Sequence, residues 1–189
     1  EAYRVLRAVK NRFGSTNELG VFEMRAEGLV EISNPSAVFL EERASNSAGS
    51  VVFALIEGTR PLLVEIQALV SPTNYGSPRV TTVGIDTNRV ILLLSILEKR
   101  IGLQMSGMDV FVNVTGGVKI TEPAADLALA IAMVSSLWEK PVPAGLIAFG
   151  EIGLTGEIRS VPNGAARLGE AAKLGFSKAL IPSRQKGSE

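Results

Sequence analysis

Four basic residues lie where the sequence pattern predicts that strands and helices begin or end: Arg79, Arg89, Lys119 and Arg159. Arg89 falls in the first turn of a predicted helix, where a cation opposes the helix dipole. A charge placed against its local field indicates an outside anion. If the four residues converge, they form a phosphate-binding face that follows duplex DNA without reading its bases. For any one residue, scattered solubilising charge is the alternative.

Several catalytic chemistries are excluded because the chain has no cysteine and no histidine. Ser-His-Asp triads, cysteine nucleophiles, disulfides, zinc thiolate sites and histidine metal sites therefore cannot form. The glycines Gly150, Gly153 and Gly156 do not fit the phosphate-cradling pattern G-x-x-x-x-G-K-[ST], nor does the pair Gly116-Gly117, and the pattern occurs nowhere in the chain. These glycines are predicted to serve turns and close backbone approach.

Composition predicts one domain of ordinary size in the 189 residues, which are 46% apolar. The formal net charge is zero, so nucleic-acid binding requires a local basic patch. The longest apolar stretch, residues 127–138, is too short to span a bilayer. The lack of cysteine fits a reducing cytoplasm. The chain begins at Glu1 rather than methionine and has no signal peptide, and we expect it to be a fragment of a longer protein.

Hydrophobic spacing predicts a hairpin followed by alternating strands and helices. Residues 2–10 have helical spacing, and Asp86, Thr121 and Asn163 are predicted helix caps. This order predicts an α/β fold, a mixed β-sheet with helices packed mainly on one face. Strands are predicted at 51–56, 62–70, 79–85, 109–115, 146–152, 157–161 and 178–181, and helices at 36–43, 87–101, 121–138 and 163–175.

Residues 29–182 resemble the proteolytic domain of Lon proteases, which work through a serine–lysine dyad and have a fold like domain 2 of ribosomal protein S5. The resemblance rests on V-F-V-N-V-T-G-G, on G-L-I-A-F-G-E-I-G-L-T-G-E-I-R-S-V-P-N-G and on G-F-S-K-A-L-I-P, in that order. Aligning Pro123 with the proline before the family's nucleophile puts Ala124 in the serine's place. Aligning P-N-G-A-A-R with P-x-G-G-x-K puts Arg167 in the lysine's place. Alanine has no nucleophilic atom and arginine cannot act as a base, so the resemblance implies a domain without peptidase activity.

Other serines and lysines are not expected to restore the dyad. Ser135 and Ser136 lie deep in a predicted helix, while Lys173 and Lys178 lie at a helix end and a strand start. Structural or surface roles explain these residues better. Asp126, two positions after the nucleophile position, is predicted to stabilise the start of its helix.

The segment K-N-R-F-G, followed by S-T-N-E-L-G-V-F-E-M, resembles the signature of the bacterial RadA (Sms) family of DNA-repair proteins. In that family the signature closes a RecA-like ATPase core directly before a Lon-like domain. The resemblance implies that residues 1–28 are the tail of the ATPase core, that 29–182 are the non-proteolytic Lon-like domain and that 183–189 are a C-terminal tail. The signature residues are Lys10, Asn11, Arg12, Phe13 and Gly14.

The same resemblance implies a DNA-dependent ATPase that acts as a branch-migration helicase on recombination intermediates. It implies a homo-hexameric ring with DNA, duplex or single-stranded, and the recombinase RecA as partners. ATP and magnesium would bind the upstream motor, and zinc an N-terminal finger, so the fragment alone is expected to be inert. Lys10 and Arg12 would reach a neighbour's γ-phosphate or DNA in the channel, with a solvated basic loop as the alternative.

Two other classes of function stay open at this point. The domain could be a pure assembly scaffold that closes a hexamer without touching DNA, or an active Ser-Lys peptidase. A basic face that converges on one side favours DNA binding. An exposed apolar rim with dispersed charge favours the scaffold, and a serine–lysine pair beside Ala124 would favour the peptidase.

Overall fold

The computed structural model describes residues 3–7, 12, 19–44, 46–74 and 76–185. The predicted α/β class is confirmed, with a six-stranded mixed sheet and helices packed against it. The strands are β1 (Tyr3–Arg7), β2 (Leu19–Arg25), β3 (Gly28–Glu31), β4 (Ser50–Glu57), β5 (Arg60–Pro72), β6 (Val80–Val83), β7 (Met108–Val114), β8 (Leu146–Ala148), β9 (Glu151–Ile152), β10 (Ile158–Arg159) and β11 (Lys178–Leu180); the helices are α1 (Pro35–Leu40), α2 (Thr87–Ile96), α3 (Asp126–Leu137) and α4 (Gly164–Lys173).

The main sheet has the strand order β11-β8-β4-β5-β7-β6. The predicted hairpin is present, because β4 and β5 pair antiparallel from Ser50↔Gln67 to Glu57↔Arg60. β7 is antiparallel to β5 and parallel to β6, while β8 is parallel to both β4 and β11. Nearly all of β4 is buried, as its continuous apolar run V-V-F-A-L suits a central strand.

One face of the sheet is covered, and the other is open along β7 and along β5 from Gln67 onward. In β7, Val110, Val112 and Val114 are buried whereas Phe111 and Asn113 are exposed. This period of two is expected of a strand with only one face in the core. α3 packs on β4 and β5.

The two serines of α3, Ser135 and Ser136, form hydrogen bonds to the backbone. The Ser135 hydroxyl accepts a hydrogen bond from the backbone N–H of Gly49 at 2.9 Å and donates to the carbonyl of Lys140 at 2.6 Å. The Ser136 hydroxyl accepts from the backbone N–H of Val70 at 2.9 Å. The two hydroxyls therefore anchor the C-terminal part of α3 to the residue before β4 and to β5.

The helix predicted at residues 2–10 is wrong, because Tyr3–Arg7 forms the strand β1. β1 pairs with β2, and β2 pairs with β3, so the three strands make a separate sheet. Tyr and Val favour strands, and the partner that supplies the hydrogen bonds lies more than ten residues away, where local spacing does not reveal it. The predicted domain boundary between residues 28 and 29 falls within the β2–β3 hairpin.

Helix α2 starts where it was predicted to start, and it becomes π-helical at its C-terminal end. The Asp86 carboxylate accepts a hydrogen bond from the Asn88 backbone N–H at 2.9 Å, which confirms the predicted cap. After Ile96 the chain continues as a π-helical turn over Leu97–Ile101 and stops at Gly102, whose φ is 76°. A residue in the left-handed region ends a helix most easily when it is glycine.

The other predicted element boundaries need correction. Thr121 does not cap α3, which starts at Asp126 after a 3₁₀ turn over Pro123–Ala125. Asn163 precedes α4 at a φ of 61°, and its side chain makes no capping hydrogen bond. The strand predicted at 146–152 is two strands in different sheets, since β8 joins the main sheet and β9 pairs with β10. Two residues between the two strands are enough to redirect the chain.

The pair Gly116-Gly117 follows β7, where the sequence predicts a turn with close backbone approach. Gly116 has a φ of 73°, and a Cβ added there would lie 2.6 Å from the ring of Phe39. Both observations confirm the prediction at this position. No helix within the described residues is both long enough and apolar enough to cross a membrane.

Candidate functional site

The position that the resemblance to Lon proteases gives to the nucleophile lies just before α3 and holds a buried alanine. Ala124 lies in the 3₁₀ turn before α3 and is 2% exposed. Its carbonyl accepts a hydrogen bond from the Gly150 N–H at 2.8 Å, and the carbonyl of Gly150 accepts from the Leu127 N–H at 3.0 Å. The backbone thus holds this turn against the end of β8. Ala124 offers no atom that could attack a substrate.

Arg167 on α4 is a buried guanidinium with an ordered set of acceptors. Its exposure is 1%. Nε donates to the carbonyl of Pro162 at 3.1 Å, and Nη1 donates to the carbonyl of Ala54. Nη1 and Nη2 also donate to the two carboxylate oxygens of Glu122, at 3.0 and 2.5 Å. The fork geometry makes this a bidentate ion pair, which only arginine provides.

Two aromatic rings complete the environment of Arg167. The guanidinium carbon lies 5.7 Å from the ring centres of both Phe53 and Phe149. Such contacts stabilise a cation that has left water. With a carboxylate, two carbonyls and two rings around it, Arg167 ties α4 to β4 and to the turn before α3. Its position and partners fit a structural cation rather than a base.

Glu122 is the residue of this cluster that the sequence analysis missed. Besides binding Arg167, its carboxylate accepts a hydrogen bond from the backbone N–H of Ile56 at 2.9 Å. The only sequence signal was its place in T-E-P-A, two positions before Ala124. An acidic residue there predicts nothing until Arg167 is known to be buried beside it.

The lysines considered as replacements for the dyad lie on the surface. Lys173 is in the last turn of α4, its side chain is 76% exposed, and its ammonium lies 3.8 Å from the carboxylate of Glu170. Lys178 is an exposed residue of the edge strand β11. Ser135 and Ser136 bond the backbone as described above. These placements give no support to a Ser-Lys peptidase.

Arg89 has a carboxylate partner inside the chain, which answers the question raised by its position. Nε donates to Oδ1 of Asp126 at 2.7 Å, and Nη2 donates to Oδ2. The backbone N–H of Ile152 also donates to Oδ2, at 3.0 Å. Asp126 is 1% exposed and the Arg89 side chain 28%. The anion that offsets the helix field is therefore Asp126, and no outside anion is required.

The hydrogen bond with Asp126 raises the pKa of Arg89 above its ordinary value, against the effect of its partial burial. The pair also joins the first turns of α2 and α3. Asp126 was predicted to stabilise the start of its own helix. Its contacts hold α2 and the β9 backbone in place, and its effect on its own helix stays a prediction.

Arg159 lies on β10 beside a glutamate two residues earlier. Its Nε donates to Oε1 of Glu157 at 2.8 Å, and Nη2 donates to the same oxygen. The Arg159 side chain is 57% exposed, so water competes strongly for this pair. A phosphate could exchange with the carboxylate at small energetic cost.

Glu157 should titrate far below an ordinary glutamate. The Thr155 hydroxyl, the Glu157 backbone N–H and Arg159 lower its pKa from 4.5 to about 2, with the hydroxyl the largest cause. A depressed pKa means that the β9–β10 turn gains stability above pH 4.5 and loses it as the pH falls towards about 2. We expect the Glu157 Cδ shift, followed by NMR, to show this low midpoint, and Thr155→Val to raise it. A midpoint near 4.5 in the unmodified chain would contradict the prediction.

Two clefts place Arg89 between the other two cations. A cleft of about 670 Å³ is lined by Arg89 and Lys119 and by the carboxylates of Asp86, Glu122 and Asp126. A smaller one of about 230 Å³ is lined by Arg89 and Arg159 and by the carboxylates of Glu151 and Glu157. Lys119, Arg89 and Arg159 therefore follow one another along the surface at the starts of α2 and α3. The structure brings three of the four predicted residues together.

Arg79 lies at the other end of β6. Its guanidinium binds Asp109 at 3.2 Å, and its backbone N–H donates to the same carboxylate at 2.9 Å. That backbone bond, followed by the bond from the Arg79 side chain, lowers the pKa of Asp109. Ile85, past the far end of β6, pairs with Ile120 next to Lys119. Six residues of extended chain span about 20 Å, so Arg79 does not join the other three.

The K-N-R-F-G block falls mostly outside the described residues. This applies to Lys10, Asn11, Phe13 and Gly14, whereas Arg12 is described as an exposed residue in a bend. The assignment of these residues to a nucleotide or to DNA stays a prediction.

Comparisons with known proteins find a matching family model and several similar proteins. A family model described as "Subunit ChlI of Mg-chelatase" matches residues 73–185, more than half of the chain. The chain is 57% identical over 181 residues to DNA repair protein RadA of Bacillus subtilis, a match that covers 96% of this chain and 40% of the relative. The chain belongs to the family of this model, and it is similar to the RadA proteins.

Two further RadA proteins match to the same degree. Identity is 56% over 187 residues with DNA repair protein RadA of Listeria monocytogenes, covering 99% of this chain and 41% of the relative. It is 56% over 181 residues with that of Escherichia coli, covering 96% and 39%. The resemblance to the RadA family is thus confirmed, and the chain spans about two fifths of the length of these relatives. The division at residues 28 and 182 stays a prediction.

Proposed function

We propose that the chain is the DNA-binding and ring-forming domain of a DNA-dependent ATPase that acts in DNA repair as a branch-migration helicase. The observation that carries the proposal is the identity of 54–57% to proteins named DNA repair protein RadA over at least 95% of the chain. ATP and magnesium would bind the motor, and zinc its finger, outside the residues described. RecA and the cytoplasm belong to the same proposal.

DNA binding is supported by the row of Lys119, Arg89 and Arg159. These cations line two clefts that share Arg89. A row of this kind meets successive phosphates and leaves the bases unread. Arg89 would act mainly by its charge, since its donors Nε and Nη2 bind Asp126. Lys119 and Arg159, both exposed, would make the exchangeable phosphate contacts.

A domain without peptidase activity is supported by the geometry at Ala124 and Arg167. The nucleophile position is a buried methyl group, and the base position is a guanidinium paired with Glu122. Within this proposal the Lon-like fold is a structural domain, and the residues at the former dyad positions stabilise its interior. Its surface binds the nucleic acid and the neighbouring subunits.

A scaffold that never touches DNA is the second candidate. It is favoured by the separation of Arg79 from the other cations and by exposed apolar side chains. Among these are Ile101 and Trp138, which are 62% and 54% exposed. Ile101 and Trp138 line one cleft, and a contiguous apolar patch is typical of interaction surfaces.

A salt titration of DNA binding separates the two candidates. We expect the double variant Lys119→Ala/Arg159→Ala to bind a labelled duplex more weakly, as measured by fluorescence anisotropy. Each lost phosphate contact should lower the slope of log K against log salt by about 0.9 on duplex DNA. The matched control is Lys173→Ala/Lys178→Ala, which removes two surface cations in the last turn of α4 and on β11.

The outcome is decisive in either direction. Equal binding by the two double variants would remove the cation row from the proposal. No binding by the folded chain even at low salt would leave the scaffold as the better account. Arg89 is kept intact in this test because its removal would leave the buried carboxylate of Asp126 without its cationic partner.

A further inference from the structure

The turn between β9 and β10 presents an apolar side chain at its tip. Its four residues are Gly153, Leu154, Thr155 and Gly156. Leu154 is 64% exposed, the largest value among the large apolar side chains of the described residues. Turns usually carry Gly, Pro, Asn, Asp or Ser, which suit the bend and its contact with water. A leucine at this position therefore contributes little to the core and is available to a partner.

Hydrogen bonds hold this turn in one conformation. The backbone N–H of Gly153 donates to the carbonyl of Glu157 at 2.9 Å, and the N–H of Gly156 donates to the carbonyl of Gly153 at 2.9 Å. Arg100 lies in the π-helical turn after α2, and its Nε donates to the carbonyl of Leu154 at 3.2 Å. The backbone that carries Leu154 is thus braced against the body of the domain, so the leucine needs little further ordering when it meets a partner.

The tip is narrow because only two of its residues carry side chains. Leu154 and Thr155 lie between two glycines, and the Thr155 hydroxyl folds back to donate to the carboxylate of Glu157. A Cβ added at Gly153 would overlap that same carboxylate, at 2.2 Å. Leu154 is therefore the side chain that projects from the tip. The minor groove of B-DNA is about 6 Å wide, which admits one such side chain but not a broad loop.

Leu154 lies within the row of cations that the proposed function assigns to phosphates. It lines the cleft of about 230 Å³ together with Arg89 and Arg159. The carboxylates of Glu151 and Glu157 line the same cleft. Because two arginines face two glutamates there, phosphate attraction alone holds DNA only weakly at this turn. An apolar contact by Leu154 would add affinity that salt does not screen.

We propose that Leu154 is an apolar wedge that inserts between base pairs of the DNA bound along the cation row. Proteins that bend DNA insert leucine and similar side chains between base steps while nearby cations bind the phosphates. Arg159 is the exposed cation nearest in sequence to this turn. The proposal rests on the DNA binding of the proposed function and adds a residue that opens the base stack. Unstacking costs least where bases are already unpaired, so the wedge favours branch points over continuous duplex.

The fluorescence of 2-aminopurine tests the wedge, since this base brightens when it loses its stacked neighbours. The probe is a forked DNA with 2-aminopurine beside the branch point, saturated with protein as judged by anisotropy. We expect a several-fold rise with the natural chain, little rise with Leu154→Ala and most of the rise with Leu154→Met. The matched control is Leu69→Ala, which truncates a leucine that is 58% exposed on β5. Circular dichroism verifies that each variant folds. Equal rises with Leu154→Ala and Leu69→Ala would overturn the proposal.

Salt dependence distinguishes a wrong wedge from a wrong DNA-binding surface. Leu154→Ala should weaken binding to the forked DNA several-fold at every salt concentration and leave the slope of log K against log salt unchanged, because no cation is lost. Lys119→Ala/Arg159→Ala should lower that slope. If the natural chain binds the fork without a rise in fluorescence, Leu154 is not a wedge and the cation row of the proposed function stands. If the folded chain binds no DNA even at low salt, both are wrong.

Discussion

Replacing Glu122 by alanine should destabilise the domain by about 3–5 kcal/mol, the cost typical of breaking a buried ion pair from one side. The reason lies in what is left behind. Arg167 is 1% exposed and cannot reach water, so its charge would remain in the interior without a carboxylate. The backbone N–H of Ile56 would lose its acceptor at the same time. Free energies of unfolding from urea titrations, followed by circular dichroism, measure the loss.

Two further variants separate charge from shape at this site. Glu122→Gln keeps an acceptor for Ile56 but removes the charge, so we expect a smaller loss than for alanine. The double variant Glu122→Leu/Arg167→Met removes both charges and should be more stable than Glu122→Ala. If Glu122→Ala unfolds within about 1 kcal/mol of the natural chain, the range of an exposed pair, the ion pair is not structural.

Much of the fold was predictable because its signals are local. The β4–β5 hairpin, the cap at Asp86 and the strand β7 depend on neighbours a few residues away. β1 was mispredicted because Tyr3–Arg7 fits helical spacing, and only its pairing with β2 decides for a strand. Local pattern predicts an element best when its partner is close in sequence.

The site was predicted only in part, for a related reason. The sequence correctly placed Arg89 against a helix field, but its partner Asp126 is 37 residues away, and the expected outside anion was the simplest local explanation. Glu122 and Arg167 are 45 residues apart, so nothing in the spacing links them. The alignment with Lon proteases identified what was lost at Ala124 and Arg167. The ion pair between Arg167 and Glu122 becomes apparent only in the three-dimensional structure.

Replacing Asp126 by alanine should cost less than replacing Glu122, although Asp126 is the more buried carboxylate of the two. The partner left behind decides the outcome. Arg89 is 28% exposed and can turn towards the cleft and water, so the full penalty of a buried charge does not apply. The Ile152 N–H loses its acceptor, which costs about 1–3 kcal/mol for a buried group. We therefore expect a loss of roughly 2–3 kcal/mol.

The same urea titrations test this order, with two matched variants. Asp126→Asn keeps an acceptor for Ile152 and should recover part of the loss. Arg89→Met leaves Asp126 buried and unpaired at 1% exposure, so it should cost more than Asp126→Ala. Asp126→Asn should also bind duplex DNA more tightly in the anisotropy assay. In this variant the guanidinium of Arg89 no longer faces a full negative charge and is freer to bind phosphates. Weaker duplex binding by a folded Asp126→Asn chain would mean that Arg89 serves the fold alone.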